Sequence, residues 1–200
     1  MGREIEIKIP ITKKEFDFLR DVFYFGKKTL SGVEVLKNSP KQILKQDEYW
    51  SRYKTRKERI QNGEAQVIRI RTEKINDDEK SYFTIKHKTY ENGIELNKED
   101  ETFIENPDVL REFFLESDYQ KWFEKTKISF SSLCKSSLFE EIIFHVEIEN
   151  VNDLLYAEIE VTQEIGDAQN IKNALNEFSK QIGLSPEKKD SRSWVEILKR

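Results

Sequence analysis

Cysteine is nearly absent from the sequence, and this excludes several kinds of site. Cys134 is the only cysteine in 200 residues, so no disulfide can form within the chain. It stands beside polar serines, which indicates neither a thiol nucleophile nor a zinc site. Long hydrophobic runs are lacking too, since no apolar segment approaches the roughly 20 residues that span a bilayer. We expect no membrane association, no signal peptide before the first strand, and a cytoplasmic location.

A large excess of charge of one sign is also lacking. The formal net charge is −4, so composition gives no indication of nucleic acid or an anionic membrane as a partner. The sequence is instead rich in both signs, with 36% charged residues, and it carries 12% aromatic residues. This apolar and aromatic content argues against a disordered chain. The length suits one domain, which we predict to cover residues 1–200.

Alternation of charged and apolar residues predicts most of the strands. At the N-terminus, Glu4, Glu6 and Lys8 occupy every second position, with isoleucines between them. Side chains of a strand alternate between its two faces, so these three charges share one face. The same pattern predicts eight strands, at 4–9, 42–50, 67–72, 82–88, 95–103, 122–130, 143–149 and 155–162. Helical spacing and capping residues predict helices at 12–24, 107–116, 168–182 and 191–198.

The remaining segments are predicted to be connections. Residues 26–41 read as irregular, 131–137 as a Ser-rich loop, and the strongly basic run 51–63 as a solvated loop or lid. Strands joined mainly by short turns, with few helices, predict an α+β fold that is mainly antiparallel β. We expect an eight-stranded closed, tunnel-like barrel with the helices packed outside.

Charges are sorted by sign from strand to strand. Acidic residues recur at positions i and i+2 as Glu4 with Glu6, Glu99 with Glu101, Glu147 with Glu149, and Glu158 with Glu160. Basic residues recur in the same way as Arg69 with Arg71, Lys86 with Lys88, and Lys125 with Lys127. One such strand is typical of a solvated sheet face. When many strands each carry charges of only one sign, the repulsion between like charges is costly unless something binds between them.

A barrel of eight strands leaves room inside for side chains or one small ligand. A dry interior lined by both signs would be unfavourable, because unpaired buried charges are strongly disfavoured. The pattern therefore favours a wet interior that holds a divalent cation and a polyanion. The alternative is a structural barrel with internally paired charges, which would gain no stability from triphosphate and metal.

The N-terminal segment Glu4-Ile5-Glu6-Ile7-Lys8 resembles the ExExK signature of the CYTH domain, the triphosphate tunnel metalloenzyme superfamily. Over about 1–198 the later segments resemble the strands of that family in order: Gln46-Asp47-Glu48-Tyr49, Arg69-Ile70-Arg71, Thr84-Ile85-Lys86, Glu99 with Glu101, Lys125 with Lys127, Glu147, and Glu158-Ile159-Glu160. The superfamily includes class IV adenylyl cyclases, thiamine triphosphatases and inorganic triphosphatases. The resemblance implies a tunnel that binds a triphosphate and one or two Mg²⁺ or Mn²⁺ ions.

The expected site residues form two sets. Carboxylate oxygens suit magnesium, and the expected metal ligands are Glu4, Glu6, Glu147, Glu158 and Glu160. Cations bind phosphate oxygens and offset charge during transfer, and the expected phosphate-binding residues are Lys8, Arg69, Arg71, Lys86, Lys125 and Lys127. Phosphoryl transfer rests on positioning and electrostatics, so no Ser or Cys nucleophile is needed. The residues expected to act in the chemical step are Lys8, Glu147 and Glu149.

Some positions differ from the family pattern or admit two interpretations. The family usually has Arg where this chain has Lys127, which keeps the charge but loses the bidentate phosphate geometry. His145 is unusual, and both it and His87 are predicted to be structural or exposed rather than catalytic. Glu99 and Glu101 are either partners of interior cations or metal ligands.

We predict a metal-dependent triphosphatase that acts on inorganic, thiamine or nucleoside triphosphate. In a hydrolase, water would attack the terminal phosphorus. The first alternative is a class IV adenylyl cyclase, in which the 3′-hydroxyl of ATP would attack the α-phosphorus and release pyrophosphate. The second is a non-catalytic module that binds polyphosphate or nucleotides. The expected partner is a small-molecule triphosphate rather than nucleic acid, and a homodimer is compatible with the sequence.

Overall fold

The computed structural model describes residues 2–64, 66–91, 94–161 and 168–199. Within these ranges the side chains of 2–4, 88–91, 94–97 and 168 are not described. The described strands are β1 (Gly2–Pro10), β2 (Val33–Val35), β3 (Lys41–Ser51), β4 (Val67–Ile75), β5 (Asp78–Glu91), β6 (Ile94–Ile104), β7 (Gln120–Ser136), β8 (Phe139–Val151) and β9 (Leu154–Val161). The helices are α1 (Lys13–Phe23), α2 (Arg56–Gln61), α3 (Pro107–Glu116), α4 (Ala168–Gln181) and α5 (Trp194–Leu198), with a 3₁₀ turn at Pro186–Lys188.

Local sequence signals explain where several helices begin. Thr12, Thr55 and Ser193 each form a capping box at the start of α1, α2 and α5. In each box the hydroxyl accepts from a backbone N–H while a glutamate three residues later accepts from the capping residue. The predicted helix at 107–116 is confirmed with the same bounds, since Pro107 follows the capping residue Asn106.

The nine described strands form one antiparallel sheet in the order β2-β7-β3-β4-β5-β6-β1-β9-β8. The sheet is strongly curled, because β8 also pairs with the far half of β7, from Lys127 to Ser136. The α+β class and the antiparallel arrangement are confirmed. The predicted closed barrel of eight strands is confirmed in part: β8 pairs with β7 as well as with β9, so the eight long strands follow one another around the curl, but β2 lies beside β7 as an edge, and β1 and β6 share only three residue pairs among the described residues. The result is a curled sheet that is joined unevenly around its circumference.

Three predicted connections contain regular structure. The segment 26–41 includes β2, and the basic run 51–63 includes α2. The predicted loop at 131–137 is mostly the end of β7, in which Ser131, Ser132 and Ser136 are buried. The hydroxyl of Ser132 donates to the carbonyl of Phe23 at 2.5 Å. A run of serines can therefore continue a strand when each hydroxyl finds a partner.

The apolar faces of the strands lie outside the curl, under the helices. The larger core joins Ile5, Ile7 and Ile9 of β1 with Phe144 of β8 and Phe178 of α4, whose rings stack with centroids 4.1 Å apart. A smaller core packs Trp50, Ile68 and Ile70 against Phe114 of α3. Since apolar side chains take the outer face, the charged residues between them point into the curl. No described helix has both the length and the apolar character needed to cross a bilayer.

Candidate functional site

The concave face of the sheet encloses a cavity of about 440 Å³. Charged residues from eight strands line it, together with residues of α2 and α5. All six predicted phosphate-binding cations line the cavity, as do four of the predicted metal ligands: Glu6, Glu147, Glu158 and Glu160. Glu149 is fully buried beside it, behind Lys127. The side chain of Glu4 lies outside the described residues.

The order of the strands separates the two signs into two walls. Strands β7, β3, β4 and β5 are neighbours, and they carry the cations of what we call the basic wall: Lys45, Arg69, Arg71, Lys86, Lys125 and Lys127. Strands β6, β1, β9 and β8 are also neighbours, and they carry the carboxylates of the acidic wall: Glu6, Glu99, Glu147, Glu158 and Glu160. Lys8 is a cation within the acidic wall. The sign sorting of the sequence thus becomes two facing surfaces.

Carboxylates of the acidic wall are brought close by register. Glu6 of β1 lies opposite Glu160 of β9, and Glu158 lies between Lys8 and Glu147 on its two neighbouring strands. Directly opposed residues of antiparallel strands have Cβ atoms about 4.5–5.5 Å apart. Burial raises the pKa of Glu6, and the nearby Glu158 and Glu160 carboxylates act in the same direction against the pull of Lys86. This repulsion is what a bound cation would relieve.

Asp47 connects two side chains of the basic wall, and sequence reasoning missed this role. Both of its oxygens accept from Arg71, at 2.6 and 3.0 Å, and Lys125 lies 3.4 Å away. Burial opposes ionisation of Asp47, but Arg71 and Lys125 hold its pKa well below the usual range. Burial likewise lowers the pKa of Lys125 to about 8, with Lys127 acting in the same direction and Asp47 against it. The sequence signal was the alternation along β3, which places Lys45, Asp47 and Tyr49 on one face of the strand.

Lys127 and Lys45 extend from the basic wall to the acidic wall. The ammonium of Lys127 contacts Glu149 at short range and lies 3.1 Å from Glu147 and 3.2 Å from Glu158. Lys45 contacts Glu147 at 2.5 Å. Burial opposes the charge of Lys127, but these three carboxylates raise its pKa well above the usual value. The pKa of Glu149 is raised by burial and by the neighbouring Glu158, whereas Lys127 opposes this shift.

Glu99 and the more exposed Glu101 of β6 pair with cations of the basic wall. The carboxylate of Glu99 lies 2.5 Å from the ammonium of Lys86 and 3.7 Å from the guanidinium of Arg69. Glu101 accepts from the hydroxyl of Thr84 at 2.8 Å and from Arg69 at 3.3 Å. Of the two interpretations of these glutamates, the geometry matches partners of interior cations.

His145 lines the cavity rather than standing apart from it. One ring nitrogen lies 2.7 Å from the hydroxyl of Ser131, and the other lies 2.5 Å from Glu160. Burial lowers the pKa of this histidine, but the hydrogen bond and charge of Glu160 raise it above the usual value overall. The arrangement can orient Glu160 and share its charge. The sequence signal for this position was the alternation along β8, which places His145 on the same face as Glu147.

Helix α5 closes over part of the cavity. The indole N–H of Trp194 donates to Glu158 at 2.9 Å, and the Trp194 ring lies under the ammonium groups of Lys8 and Lys125, 5.1 and 4.9 Å from its centroid. Lys8 also donates to the carbonyl of Arg192 at 2.8 Å. Nothing in the local sequence indicated that this helix would return to the first strand.

Residues near α2 were also missed. Arg59 is buried and bonds to Glu64 at 3.1 Å, and its guanidinium lies 4.8 Å from the ring centroid of Trp122. Sequence parity placed Trp122 on the face opposite Lys125, but a bulge opposite Tyr49 and Trp50 brings it to the cavity. Arg56, the first residue of α2, pairs with Glu196 of α5 at 2.6 Å.

The carboxylates could hold a divalent cation. Glu147, Glu149 and Glu158 offer oxygens that lie within 4.8 Å of one another. One oxygen of Glu149 is buried with no hydrogen-bond partner among the described residues. Carboxylate oxygens are the ligands that Mg²⁺ and Mn²⁺ prefer, so the donor set fits such an ion.

Several solved structures share this fold over almost the whole chain. A protein from Pyrococcus horikoshii superposes with a TM-score of 0.71 at 18% identity, covering 98% of this chain and 99% of that one. A proposed adenylate cyclase from Vibrio parahaemolyticus superposes with a TM-score of 0.66 at 17% identity, covering 98% of each chain. A proposed adenylyl cyclase from Hippeastrum, described as having a dominant triphosphatase activity, has a TM-score of 0.63 at 16% identity, covering 100% of this chain and 95% of that one.

These similarities establish the fold, and they agree with the resemblance to the CYTH superfamily seen in the sequence. No protein-family model matches the sequence. No curated protein matches it.

Proposed function

We propose that this protein is a CYTH-type enzyme that hydrolyses a triphosphate with the help of Mg²⁺ or Mn²⁺. The observation that carries the proposal is the pair of walls around one cavity of about 440 Å³. A triphosphate is a polyanion that suits the basic wall, and its divalent counter-ion suits the acidic wall. The curled sheet would act as a tunnel for this pair.

The phosphates would be held by cations that point into the cavity, and different neighbouring residues position these cations. Arg71 and Lys125 are positioned by Asp47, and Arg69 is positioned by Glu101 and Thr84. Lys86 and Lys8 complete the set from β5 and β1. Because carboxylates hold Arg69 and Arg71 before the ligand arrives, these two guanidinium groups can stabilise the charge that develops on the phosphate oxygens with little reorganisation.

The expected metal ligands are Glu4, Glu6, Glu147, Glu158 and Glu160, and the last four of these line the cavity. When bound, a divalent ion would neutralise phosphate charge and act as a Lewis acid. The chain's own contribution is to orient these carboxylates, and His145 does so for Glu160. Lys8 lines the cavity opposite Glu158 on the neighbouring strand, and it remains an expected residue of the chemical step, together with Glu147 and Glu149.

Adenylyl cyclase activity is the second candidate. Two structural neighbours, from Vibrio and Bacillus, are described as proposed adenylate cyclases, whereas the Hippeastrum neighbour is described by its triphosphatase activity. Both reactions use the same triphosphate contacts and differ in the attacking group. The charged walls are suited to either one, and the description of the Hippeastrum protein favours the hydrolase.

A substrate panel tests the proposal. Inorganic triphosphate, thiamine triphosphate and ATP are each incubated with Mg²⁺, Mn²⁺ or a chelator, and phosphate, pyrophosphate and cyclic AMP are resolved. We expect metal-dependent release of phosphate, its loss in Glu158→Gln, and its retention in the control Glu34→Gln, which alters an exposed residue of β2. Cyclic AMP with pyrophosphate would favour the cyclase, and binding without turnover would favour the non-catalytic module.

A further inference from the structure

The ammonium of Lys127 lies where three carboxylates converge. It is 3.1 Å from Glu147 and 3.2 Å from Glu158, and it makes a still shorter contact with Glu149. These are the same three residues whose oxygens come close enough together to hold a metal ion. The position of a cation in this cluster is therefore taken by a side chain of the protein itself.

The chemistry of lysine fits this position. An ammonium is a compact charge with three donors, and here each donor has one carboxylate to bond. Lys127 is only 3% exposed, and Glu149 is fully buried. A buried ammonium that is bonded to three carboxylates has no donor left for a phosphate oxygen. Lys125 makes fewer such contacts among the described residues, since its ammonium lies 3.4 Å from the single carboxylate of Asp47.

We propose that Lys127 is a built-in cation that occupies one metal position of the site, so that Mg²⁺ or Mn²⁺ is confined to the neighbouring carboxylates Glu6 and Glu160. This role replaces the phosphate-binding role expected from the sequence. The presence of a metal at Glu6 and Glu160 rests on the proposed function, whereas the role of Lys127 does not. Glu6 and Glu160 lie opposite each other on β1 and β9, two residue pairs away from the Lys8–Glu158 pair along the same ladder.

Charge balance supports the same conclusion. Removing the ammonium would leave three carboxylates, two of them on β8 and one on β9; Lys45 would still contact Glu147 and Lys8 would still lie opposite Glu158, but the fully buried Glu149 would lose its contact with Lys127. Uncompensated buried charges are strongly disfavoured. A divalent ion supplied from solution is the simplest replacement, because the cavity lining includes Lys127 and so gives access to its position.

Counting bound Mn²⁺ tests the inference without measuring activity. Wild type, Lys127→Ala and Lys127→Arg are freed of metal, and Mn²⁺ is added while the free ion is followed by electron paramagnetic resonance. We expect Lys127→Ala to bind one more ion per chain than wild type, and Lys127→Arg to bind the same number as wild type. No gain in Lys127→Ala, or an equal gain in Lys127→Arg, would overturn the inference.

The test still decides the inference if Lys127→Ala fails to fold without metal. If Lys127→Ala folds only when Mn²⁺ is present, the ion has replaced the ammonium and the inference is supported. If it stays unfolded with Mn²⁺, the double variant Lys127→Ala/Glu149→Gln removes one carboxylate together with the ammonium, and it must then bind the extra ion. Failure of the double variant to fold or to bind that ion overturns the inference. Failure of the proposed function looks different, since wild type would then bind no Mn²⁺ while Lys127→Ala still gained an ion.

Discussion

A single buried carboxylate, Asp47, determines how two of the cations proposed to bind phosphate are presented. It is 1% exposed, and it bonds Arg71 with both oxygens while contacting Lys125. Such a residue has no metal or substrate role of its own. It fixes two long side chains that would otherwise lose conformational freedom when the ligand binds.

We expect Asp47→Asn to destabilise the protein by about 3–5 kcal/mol, because it breaks a buried pair and leaves Arg71 without its partner. Urea unfolding measures this change. The matched control is Glu48→Gln in the same strand, since Glu48 points to the other face and pairs with the half-buried Arg111 at 2.9 Å. The control should cost no more than about 1 kcal/mol. Equal losses in the two variants would contradict the role given to Asp47.

Lys125 should make triphosphate binding sensitive to pH. Burial lowers its pKa to about 8, so the free protein begins to lose this charge as the pH rises through that value. Bound phosphate favours the ammonium, so binding above pH 8 must take up a proton and affinity must fall. Linkage gives a decrease of at most about tenfold per pH unit.

The measurement for Lys125 is the dissociation constant of inorganic triphosphate, without metal, from pH 7 to 10. Triphosphate itself changes charge in this range, so the comparison is with Lys125→Arg, whose guanidinium stays charged throughout. Wild type should lose affinity relative to Lys125→Arg as the pH rises. Parallel curves for the two proteins would show that Lys125 does not titrate in this range.

At the scale of elements, α5 covers groups that the proposed ligand would use. Trp194 bonds Glu158 and covers the ammonium groups of Lys8 and Lys125. These contacts must be given up before a phosphate or a metal can take the same groups. Removing them should therefore favour the ligand.

We expect Trp194→Ala to lower the dissociation constant of inorganic triphosphate by about tenfold, since one hydrogen bond to a charged group contributes about 1.5–3 kcal/mol. Trp194→Phe keeps an aromatic ring and loses only the N–H, so its effect should be smaller. Titration calorimetry with Mg²⁺ present measures both. Weaker binding in both variants would mean that α5 closes on the ligand instead of competing with it.

Elements were predictable where the local pattern was strong. The first strand, predicted over 4–9, and the helix predicted over 107–116 were found because periodicity and capping are properties of neighbouring residues. The strand β2 is only three residues long, which is too short for a periodic signal. The end of β7 was missed because its serines have no apolar alternation and are held by contacts with distant residues such as Phe23.

At the scale of the whole molecule, the sequence predicted which side chains point inward but not how they pair. Parity along each strand placed Glu6, Arg71 and Lys127 on the interior face, and the structure brings all three to one cavity. The partners of Lys127 come from β8 and β9, and Trp194 comes from the C-terminal end. These pairings depend on strand order and curl, which separate strands cannot reveal.

Two opposed walls predict that anion and metal stabilise the protein together. With triphosphate alone, the carboxylates of the acidic wall still repel one another. With Mg²⁺ alone, the basic wall lacks its anion. Ligands that bind only the native state stabilise it by RT ln(1 + [L]/Kd), or about 2.7 kcal/mol at a hundred times Kd. For a protein of this size that corresponds to a rise in Tm of about 5–10 °C.

We therefore expect the rise in Tm with inorganic triphosphate and Mg²⁺ together to exceed the sum of the two separate rises. Thermal unfolding with each ligand and with both measures this excess. Glu160→Gln should reduce it, because Glu160 faces Glu6 across the acidic wall, whereas the exposed Glu34→Gln should preserve it. If neither ligand changes Tm, the cavity is a structural network of paired charges, because any ion that bound the native cavity would have to raise its stability.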